Sequence, residues 1–282
     1  MPALSVIIPT HKRAPILRRC LEHLEQQTIA EMIEVIVVSD GPDEQTTQML
    51  KERSWKIPVH FFTIEKSQQG KARNRGVQEA QSPLVLFIGD DIFLEPMACE
   101  EHLRAHRISE TAVLGFITWD PALPQTKAMR WLEASGWQFG YKMIGGFAHD
   151  FLPTDMQPRF SYTSNISVPI DIAKSLPFRE DVTLYGWEDI EWGMRLRDNG
   201  IRLLYSPSAK GWHHHAVTMQ ESFERMRTLG RSAAIMEKIV PGFGRVPDGF
   251  KRLAYRFSSL LPTMAGKHRK AFLEGIAQAR VM

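Results

Sequence analysis

Short apolar runs that alternate with helical patterns constrain the fold of this chain more than any other feature. The runs cover residues 4–8, 34–39, 59–63 and 84–88, and Val, Ile, Leu and Phe dominate them. Strands of this length with amphipathic segments between them are typical of βαβ units around a mostly parallel sheet. We therefore predict an α/β fold with a Rossmann-like sheet.

Apolar residues at helical spacing predict the helices. Between the first two runs they recur every three or four positions, at Ile16, Leu17, Cys20, Leu21 and Leu24. Further helices are predicted at residues 44–53, 71–80, 97–106, 127–134, 171–176 and 187–197. Further strands are predicted at residues 111–118, 165–168 and 202–205. The rest of the stretch between 119 and 162 is predicted to be loops.

The length of 282 residues suits one α/β domain with an addition. From residue 219 onward the pattern is helical, with interruptions near 241–249 and 261–266. We expect a catalytic domain over residues 1–218 and a helical C-terminal appendage over residues 219–282.

Charge is distributed unevenly along the chain. Residues 245–282 hold eight Lys or Arg and two acids, which gives +6 there and −3 for the preceding part, because the total is +3. Nucleic-acid binders usually carry a basic stripe across the fold itself, so we expect no nucleic-acid partner. The basic tail suggests an anionic surface instead.

One helix of this tail is amphipathic. Its apolar residues share one face: Phe250, Leu253, Ala254, Phe257, Leu260 and Leu261. Its basic residues lie on the other face: Lys251, Arg252 and Arg256. The pattern fits an interfacial helix on anionic lipid. A helix that packs this face onto the domain, or onto a second copy in a homodimer, fits the pattern slightly better.

The sequence also bears on the compartment. No apolar run approaches the roughly 18 residues of a membrane-spanning helix, and no basic leader precedes the first strand. Cys20 and Cys99 lack any metal-ligand or CxxC spacing. We expect two buried thiols in a reducing cytoplasm, with peripheral contact at the inner membrane face left open.

The chemistry is expected where strands end, because ligands of parallel α/β sheets gather outside the carboxyl ends. Asp90 and Asp91 follow the fully apolar run at 84–88. Adjacent buried carboxylates repel each other unless a cation offsets them, and their oxygens select Mn²⁺ or Mg²⁺. The alternative is that they only cap the next helix.

Five motifs in order resemble those of family 2 glycosyltransferases, which have a GT-A fold. They are Ser5-Val-Ile-Ile-Pro-Thr10, Val38-Ser-Asp-Gly41, Gly70-Lys-Ala-Arg-Asn-Arg-Gly76, Leu86-Phe-Ile-Gly-Asp-Asp91 and Gly186-Trp-Glu-Asp-Ile-Glu191. The resemblance covers residues 4–215 and implies a single GT-A-like domain. It also implies that a nucleotide-sugar donor binds at the strand ends.

The resemblance implies a set of nucleotide-binding residues, namely Pro9, Thr10, Asp40, Lys71, Arg73, Asn74 and Asp90. Asp40 would accept a hydrogen bond from the base or ribose, although an Asp-Gly pair also explains a turn. The basic residues near the start of the third helix would bind the diphosphate, as suits the positive end of a helix. The alternative is an ordinary solvated helix face.

The resemblance also implies the metal ligands. Asp91 aligns with the carboxylate that touches the ion, whereas Gly89 stands where the family usually has its first acid. Asp90 would then bind ribose or a metal-bound water. His213 or His215 would reach the metal, and His214 between them should point away.

Asp189 is implied as the general base, ahead of Glu188, because a sugar hydroxyl must lose its proton as the new bond forms. The alternative is that these acids and Glu191 only stabilise a helix start, with an ion pair from Glu191 to Arg195. Trp187 and Trp192 are either stacking surfaces for sugars or, more commonly, core residues.

Together these features predict a Mn²⁺- or Mg²⁺-dependent glycosyltransferase, and the family resemblance alone implies that it inverts the sugar carbon. Its acceptor would be a glycan or a lipid-linked hydroxyl, as in polysaccharide or glycolipid assembly. A non-catalytic nucleotide-sugar or glycan-binding protein is the alternative, because Gly89 replaces an acid. An oxidoreductase or a nucleotidyltransferase is disfavoured, since no Gly-rich phosphate loop follows the first strand.

Overall fold

The computed structural model describes residues 1–107, 111–181 and 185–279, and within them one eight-stranded sheet forms the centre. In chain order the strands are β1 (Leu4–Thr10), β2 (Ile33–Asp40), β3 (Val59–Ile64), β4 (Leu84–Ile88), β5 (Ile92–Leu94), β6 (Ala112–Trp119), β7 (Asn165–Pro169) and β8 (Leu203–His213). Across the sheet the order is β3-β2-β1-β4-β7-β6-β8-β5.

The sheet is mixed, with the parallel strands in the majority. β1 pairs in parallel with β2 and β4, and β2 does so with β3. β7 runs antiparallel to both β4 and β6, while β6 and β8 are parallel. β5 at the far edge is antiparallel to β8. Only β7 and β5 among these strands are reversed, so the carboxyl ends of the others meet at one edge.

The predicted strands are all present, and most of their ends agree within two residues. The exception is β8, which was predicted to stop at Tyr205 but continues to His213. A register shift opposite Gly115 and Phe116 of β6 interrupts its regular pairing. His213 therefore completes the strand, and His214 and His215 follow it directly. The three-residue β5 was not predicted.

Eleven α-helices lie within the described residues. They are α1 (Ala14–Leu24), α2 (Glu44–Lys51), α3 (Gln69–Glu79), α4 (Ala98–His106), α5 (Lys127–Ser135), α6 (Gln157–Phe160), α7 (Ile170–Ser175), α8 (Glu188–Asp198), α9 (Met219–Ile239), α10 (Gly249–Ser259) and α11 (Met264–Ala279). Short 3₁₀ helices add Ala30–Met32, Gly140–Met143 and Gly145–Phe147. The apolar face of α1 is buried as its spacing predicted, and Cys20 and Cys99 are buried free thiols.

The tail packs onto the rest of the fold through α9 and α11. α9 and α11 also pack closely on each other at Gly275 of α11, where an added Cβ would lie 2.0 Å from the backbone oxygen of Arg227 in α9. Phe243, Phe272 and their neighbours form an apolar cluster against which Trp187 also packs. The tail and the start of α8 therefore share a core, and residues 280–282 of the predicted appendage lie outside the described ranges.

The amphipathic helix α10 differs from its expected packing. Phe250 is 84% exposed and Phe257 is 72% exposed, and no residue of α10 is buried. The prediction that this face packs onto the chain's own domain is wrong, because Tyr255 on the opposite side makes the contact. Among the described residues, no helix is long and apolar enough to cross a membrane.

Candidate active site

A cleft of about 1310 Å³ opens at the carboxyl edge of the sheet. One wall comes from the ends of β1, β4 and β8, and another from the start of α8. The third wall comes from the tail, through Arg225, Arg245, Lys251, Tyr255 and Arg269. The tail was predicted as an appendage outside the motif region, so its share of the cleft is new.

An acidic turn forms the floor of this cleft. Asp90 and Asp91 are buried directly after β4, and the turn closes with a 3.2 Å hydrogen bond from the backbone N–H of Ile92 to the carbonyl of Gly89. The chain then enters β5 and not a helix. The helix-capping interpretation of the two acids is therefore wrong.

Asp90 is fixed from the end of β1. The Thr10 hydroxyl donates to Asp90 Oδ2 at 2.7 Å, and Arg13 donates to Asp90 Oδ1 at 2.8 Å and to Asp91 Oδ2 at 2.9 Å. Burial is the main cause that raises the pKa of Asp90 to about 6, with Arg13 acting in the opposite direction. Arg13 was not predicted as a site residue.

Asp91 meets two histidines from the end of β8. Asp91 Oδ2 lies 3.5 Å from His213 Nε2 and 3.7 Å from His215 Nδ1. The pairing of β5 with β8 sets this geometry, since Ile92 is opposite His213 in the ladder. Burial acts to raise the pKa of Asp91, but the imidazoles and Arg13 outweigh it and hold the pKa well below its usual range.

His214 faces away from the cluster. Arg19 donates to His214 Nε2 at 2.8 Å, and Nδ1 lies 2.6 Å from Asp120 Oδ2, so both ring nitrogens are used. The ring also stacks on Phe93 with centroids 4.9 Å apart. His214 thus fastens β8 beside β5 and directs its two neighbours toward Asp91.

Asp91, His213 and His215 fit one divalent ion. Their candidate ligand atoms all lie within 4.8 Å of one another. His213 Nδ1 is buried without a hydrogen-bond partner in the described structure, so its ring is held by stacking on Trp119. One carboxylate and two imidazoles suit Mn²⁺ better than Mg²⁺, which prefers an all-oxygen shell.

The geometry also explains why the smallest residue, glycine, fits at position 89 beside Asp91. A Cβ added to Gly89 would lie 3.0 Å from Asp91 Oδ1, so a larger side chain there would crowd the carboxylate. Asp90, not position 89, provides the second carboxylate of the turn.

The second acidic group of the cleft is at the start of α8. Gly186 and Trp187 both adopt positive φ, 89° and 76°, and this sharp entry points the first turn of α8 into the cleft. Glycine suits position 186 because a φ of 89° would strain any other residue, and an added Cβ would also lie 2.4 Å from Leu229 Cδ2. Burial first, and then the charge of Glu188, raise the pKa of Asp189 to about 6.

Three other residues at the beginning of α8 have different roles. Glu191 and Trp192 make contacts within the fold, whereas Trp187 lines the cleft. Glu191 pairs with Arg195 at 2.8 Å, as the alternative for this helix predicted. Trp192 is fully buried and packs edge-on against Phe87, which makes it a core residue. Trp187 lines the cleft while its indole N–H donates to the carbonyl of Leu229 at 2.9 Å.

Arg73 joins α3 to the same site. It is buried, and its Nη1 lies 3.8 Å from Glu188 Oε1, while Nη2 donates to Gln69 Oε1 at 3.0 Å. Arg73 Nε and Nη1 and Glu188 Oε2 have no hydrogen-bond partner among the described residues. These unsatisfied polar atoms line a cleft, where a polar ligand would satisfy them.

Asn74 has a different role from the predicted one. Its amide donates to the Phe178 carbonyl at 2.8 Å and to Glu180 Oε1 at 2.9 Å, and its oxygen accepts from the Phe178 N–H at 2.8 Å. Both polar ends are therefore used within the protein, and Asn74 is not part of the cleft wall. It holds the segment after α7 beside α3.

Of the remaining residues predicted to bind the nucleotide, Pro9 lines the cleft, and Asp40 and Lys71 do not. Asp40 lies at the end of β2 and accepts from the Ser67 backbone N–H at 2.7 Å.

Comparison with known proteins agrees with this arrangement. The profile of the family described as Glycosyl transferase family 2 matches residues 5–164, more than half of the chain. The chain therefore belongs to glycosyl transferase family 2.

Among curated relatives, validoxylamine A glucosyltransferase from Streptomyces hygroscopicus subsp. jinggangensis (strain 5008) is 31% identical over 232 aligned residues, covering 75% of this chain and 55% of that protein. The enzyme from S. hygroscopicus subsp. limoneus is 30% identical, covering 75% of this chain and 51% of that protein. This chain thus spans about half the length of these relatives.

Solved structures show the same fold at low sequence identity. S. aureus TarS 1–349 in complex with UDP has a TM-score of 0.58 at 15% identity, covering 98% of this chain and 88% of that chain. Mannosyltransferase PcManGT from Pyrobaculum calidifontis, in complex with GDP-Man and Mn²⁺, has a TM-score of 0.59 at 19% identity, covering 99% and 76%. The predicted GT-A fold is confirmed.

Proposed function

We propose that this protein transfers a sugar from a nucleotide-diphosphate sugar to a hydroxyl acceptor, with inversion at the sugar carbon. One observation carries the proposal. The cluster Asp91, His213 and His215 and the buried acid Asp189 line the same cleft at the carboxyl edge of the sheet. A metal-ligand set and a raised-pKa carboxylate in one cleft are the two groups that such a transfer needs.

Asp91, His213 and His215 would hold the divalent ion, with Asp90 close behind them. When bound, the ion would neutralise charge on the departing diphosphate. Arg13 shares Asp91 Oδ2 with the histidines, and its side chain is 37% exposed. With a diphosphate bound, Arg13 would turn from the carboxylates, and its guanidinium would pair with phosphate oxygens. Arg73 offers a second, buried guanidinium at the same wall.

Asp189 would act as the general base. The acceptor hydroxyl gives its proton to the Asp189 carboxylate, its oxygen forms the new bond to the sugar carbon, and the bond to the diphosphate oxygen breaks with its electron pair. The raised pKa improves the proton affinity of the carboxylate while leaving it mostly ionised at neutral pH. A single displacement of this kind makes a β linkage from an α-linked donor.

We propose that the acceptor binds at the wall formed by the tail and by residues 162–164, all of which contribute to the lining of the cleft. We propose a glycan or lipid-linked acceptor, as in the assembly of surface polysaccharide or glycolipid, and a cytoplasmic setting. The bound ligands named for TarS and PcManGT are UDP, UDP-GlcNAc and GDP-Man, and they guide the choice of donors to test.

The test is a panel of UDP-, GDP- and dTDP-sugars, with release of the nucleoside diphosphate measured in the presence and absence of Mn²⁺. The proposal predicts release from at least one donor, dependent on Mn²⁺ and lost in Asp91→Asn. If donors bind but none is turned over with any acceptor offered, the protein is a nucleotide-sugar-binding protein and the proposal is wrong. Matched Asp198→Asn, at an exposed acid of α8, should behave as the wild type.

A further inference from the structure

Helix α10 leaves an apolar face uncovered. Five large side chains of α10 and the turn after it are more than half exposed: Phe250 84%, Leu253 52%, Phe257 72%, Leu260 79% and Leu261 54%. At about 100° per residue they fall within an arc of about 100°. A single exposed leucine is ordinary, but five on one arc form a patch of the kind that marks an interaction surface.

The fold directs this arc away from the protein. Tyr255 lies on the opposite side of α10 and packs on Phe272 with ring centroids 6.4 Å apart, and the Arg269 guanidinium lies 5.5 Å from the Tyr255 ring. Tyr255 and Lys251 also line the catalytic cleft. The same short helix therefore carries the rim of the cleft on one side and the bare apolar arc on the other.

The charge around the arc is of one sign. Between Asp248 and Glu274 the sequence has no acidic residue. The cations of that interval are Lys251, Arg252, Arg256, Lys267, Arg269 and Lys270. Arg252 and Arg256 are exposed and follow the apolar arc along one edge. Long basic side chains beside an apolar arc keep their charge among lipid headgroups while the arc enters the acyl boundary.

We propose that the exposed face of α10 docks on an anionic lipid surface. Charge favours lipid over a second copy of the chain, because an antiparallel pair of copies joined through this arc would bring their Arg252 and Arg256 side chains together. Anionic headgroups instead attract both arginines. Docking in this orientation would hold the cleft wall at Lys251 and Tyr255 one helix diameter, roughly 10 Å, from the bilayer surface.

The experiment is cosedimentation of the full chain with vesicles of phosphatidylglycerol and phosphatidylcholine in equal parts, and with vesicles of phosphatidylcholine alone. The variant Arg252→Gln/Arg256→Gln should weaken binding to the anionic vesicles about 25-fold, since each basic residue near the surface contributes about five-fold. Phe257→Asp should abolish it. The matched control Lys51→Gln/Lys127→Gln removes the same charge from exposed helix positions elsewhere and should bind as the wild type.

Two outcomes would overturn the proposal. One is equal partition of the wild type and the double arginine variant onto anionic vesicles. The other is a wild-type dimer in sedimentation velocity that Phe257→Asp converts to a monomer, with no vesicle binding, because the face would then belong to a second copy. Vesicle binding is measured without any sugar donor, so a failure of the proposed glycosyl transfer would leave this result standing.

Discussion

Asp189 gives the proposed reaction a defined pH dependence. With a pKa of about 6, the carboxylate is about nine-tenths ionised at pH 7 and about one-tenth ionised at pH 5. Only the ionised form accepts a proton, so kcat should fall about ten-fold between those pH values as the pH decreases. An unperturbed aspartate, with its pKa near 3.8, would lose less than about a tenth of its activity over the same interval.

The assay is kcat against pH at saturating donor, acceptor and Mn²⁺, with Asp189→Asn measured in parallel. The asparagine keeps the oxygen that accepts the Ile190 N–H at 2.8 Å, so the start of α8 should be preserved. We expect kcat to fall about 10²- to 10⁴-fold in this variant, with donor affinity unchanged. The residual rate of this variant should no longer fall as the pH decreases through 6, because the base that titrates there is gone.

Asp90 is the necessary control, because burial raises its pKa to about 6 as well. In Asp90→Asn, kcat should still fall as the pH decreases through 6 if Asp189 is the base. A wild-type profile that stays flat to pH 5, or an Asp189→Asn variant with an unchanged rate, would refute the assignment.

Three further predictions concern binding and stability. His213→Ala should weaken Mn²⁺ binding more than about ten-fold, measured by the signal of free Mn²⁺ in electron paramagnetic resonance. Asn74→Ala should lower the free energy of unfolding by about 1–3 kcal/mol in urea, because it leaves buried backbone groups unpaired. Gly275→Ala should lower it by about 1–3 kcal/mol in the same assay, since the added Cβ meets backbone on α9.

Each of these has a matched control in the chain. His60→Ala, at a part-exposed histidine of β3, should leave Mn²⁺ affinity unchanged. Gln278→Ala, at an exposed amide of α11, should change stability by less than about 0.5 kcal/mol. Gly145→Ala should also change the free energy of unfolding very little, because nothing lies within 4 Å of its added Cβ. Effects as large in the controls as in the test variants would contradict the explanations given.

The sheet was largely predictable from the sequence because its strands are buried apolar runs. β4 was predicted with both ends correct, since Pro83 precedes it and Gly89 ends it. β5 was missed because three residues are too few to show a period. The extension of β8 was missed because the stretch 206–210 is polar, and partners in β6 and β5 override its weak propensity.

The site was predictable where a motif carried it and not where distant residues meet. Motifs predicted Asp189 and Asp91, and both line the cleft. Arg13, by contrast, reaches Asp90 across 77 positions of sequence and looks like a surface cation in its local context. Asn74 shows the opposite case, because its partners lie about 104 positions away and turn a motif residue into a structural one. The amphipathic pattern of α10 favoured packing onto the domain or a second copy, but the face is exposed on this chain, because such a pattern shows that a face is apolar and not what covers it.

The central claim is that a metal bound by Asp91, His213 and His215 lies in the cleft that Asp189 shares. A crystal structure of the protein with Mn²⁺ and a nucleoside diphosphate, with anomalous data collected at the manganese edge, tests this directly. The account predicts one anomalous peak among these three side chains, with the diphosphate beside it and Arg13 turned toward the phosphates. A peak elsewhere, or a nucleotide bound in this cleft without metal at saturating Mn²⁺, would contradict it.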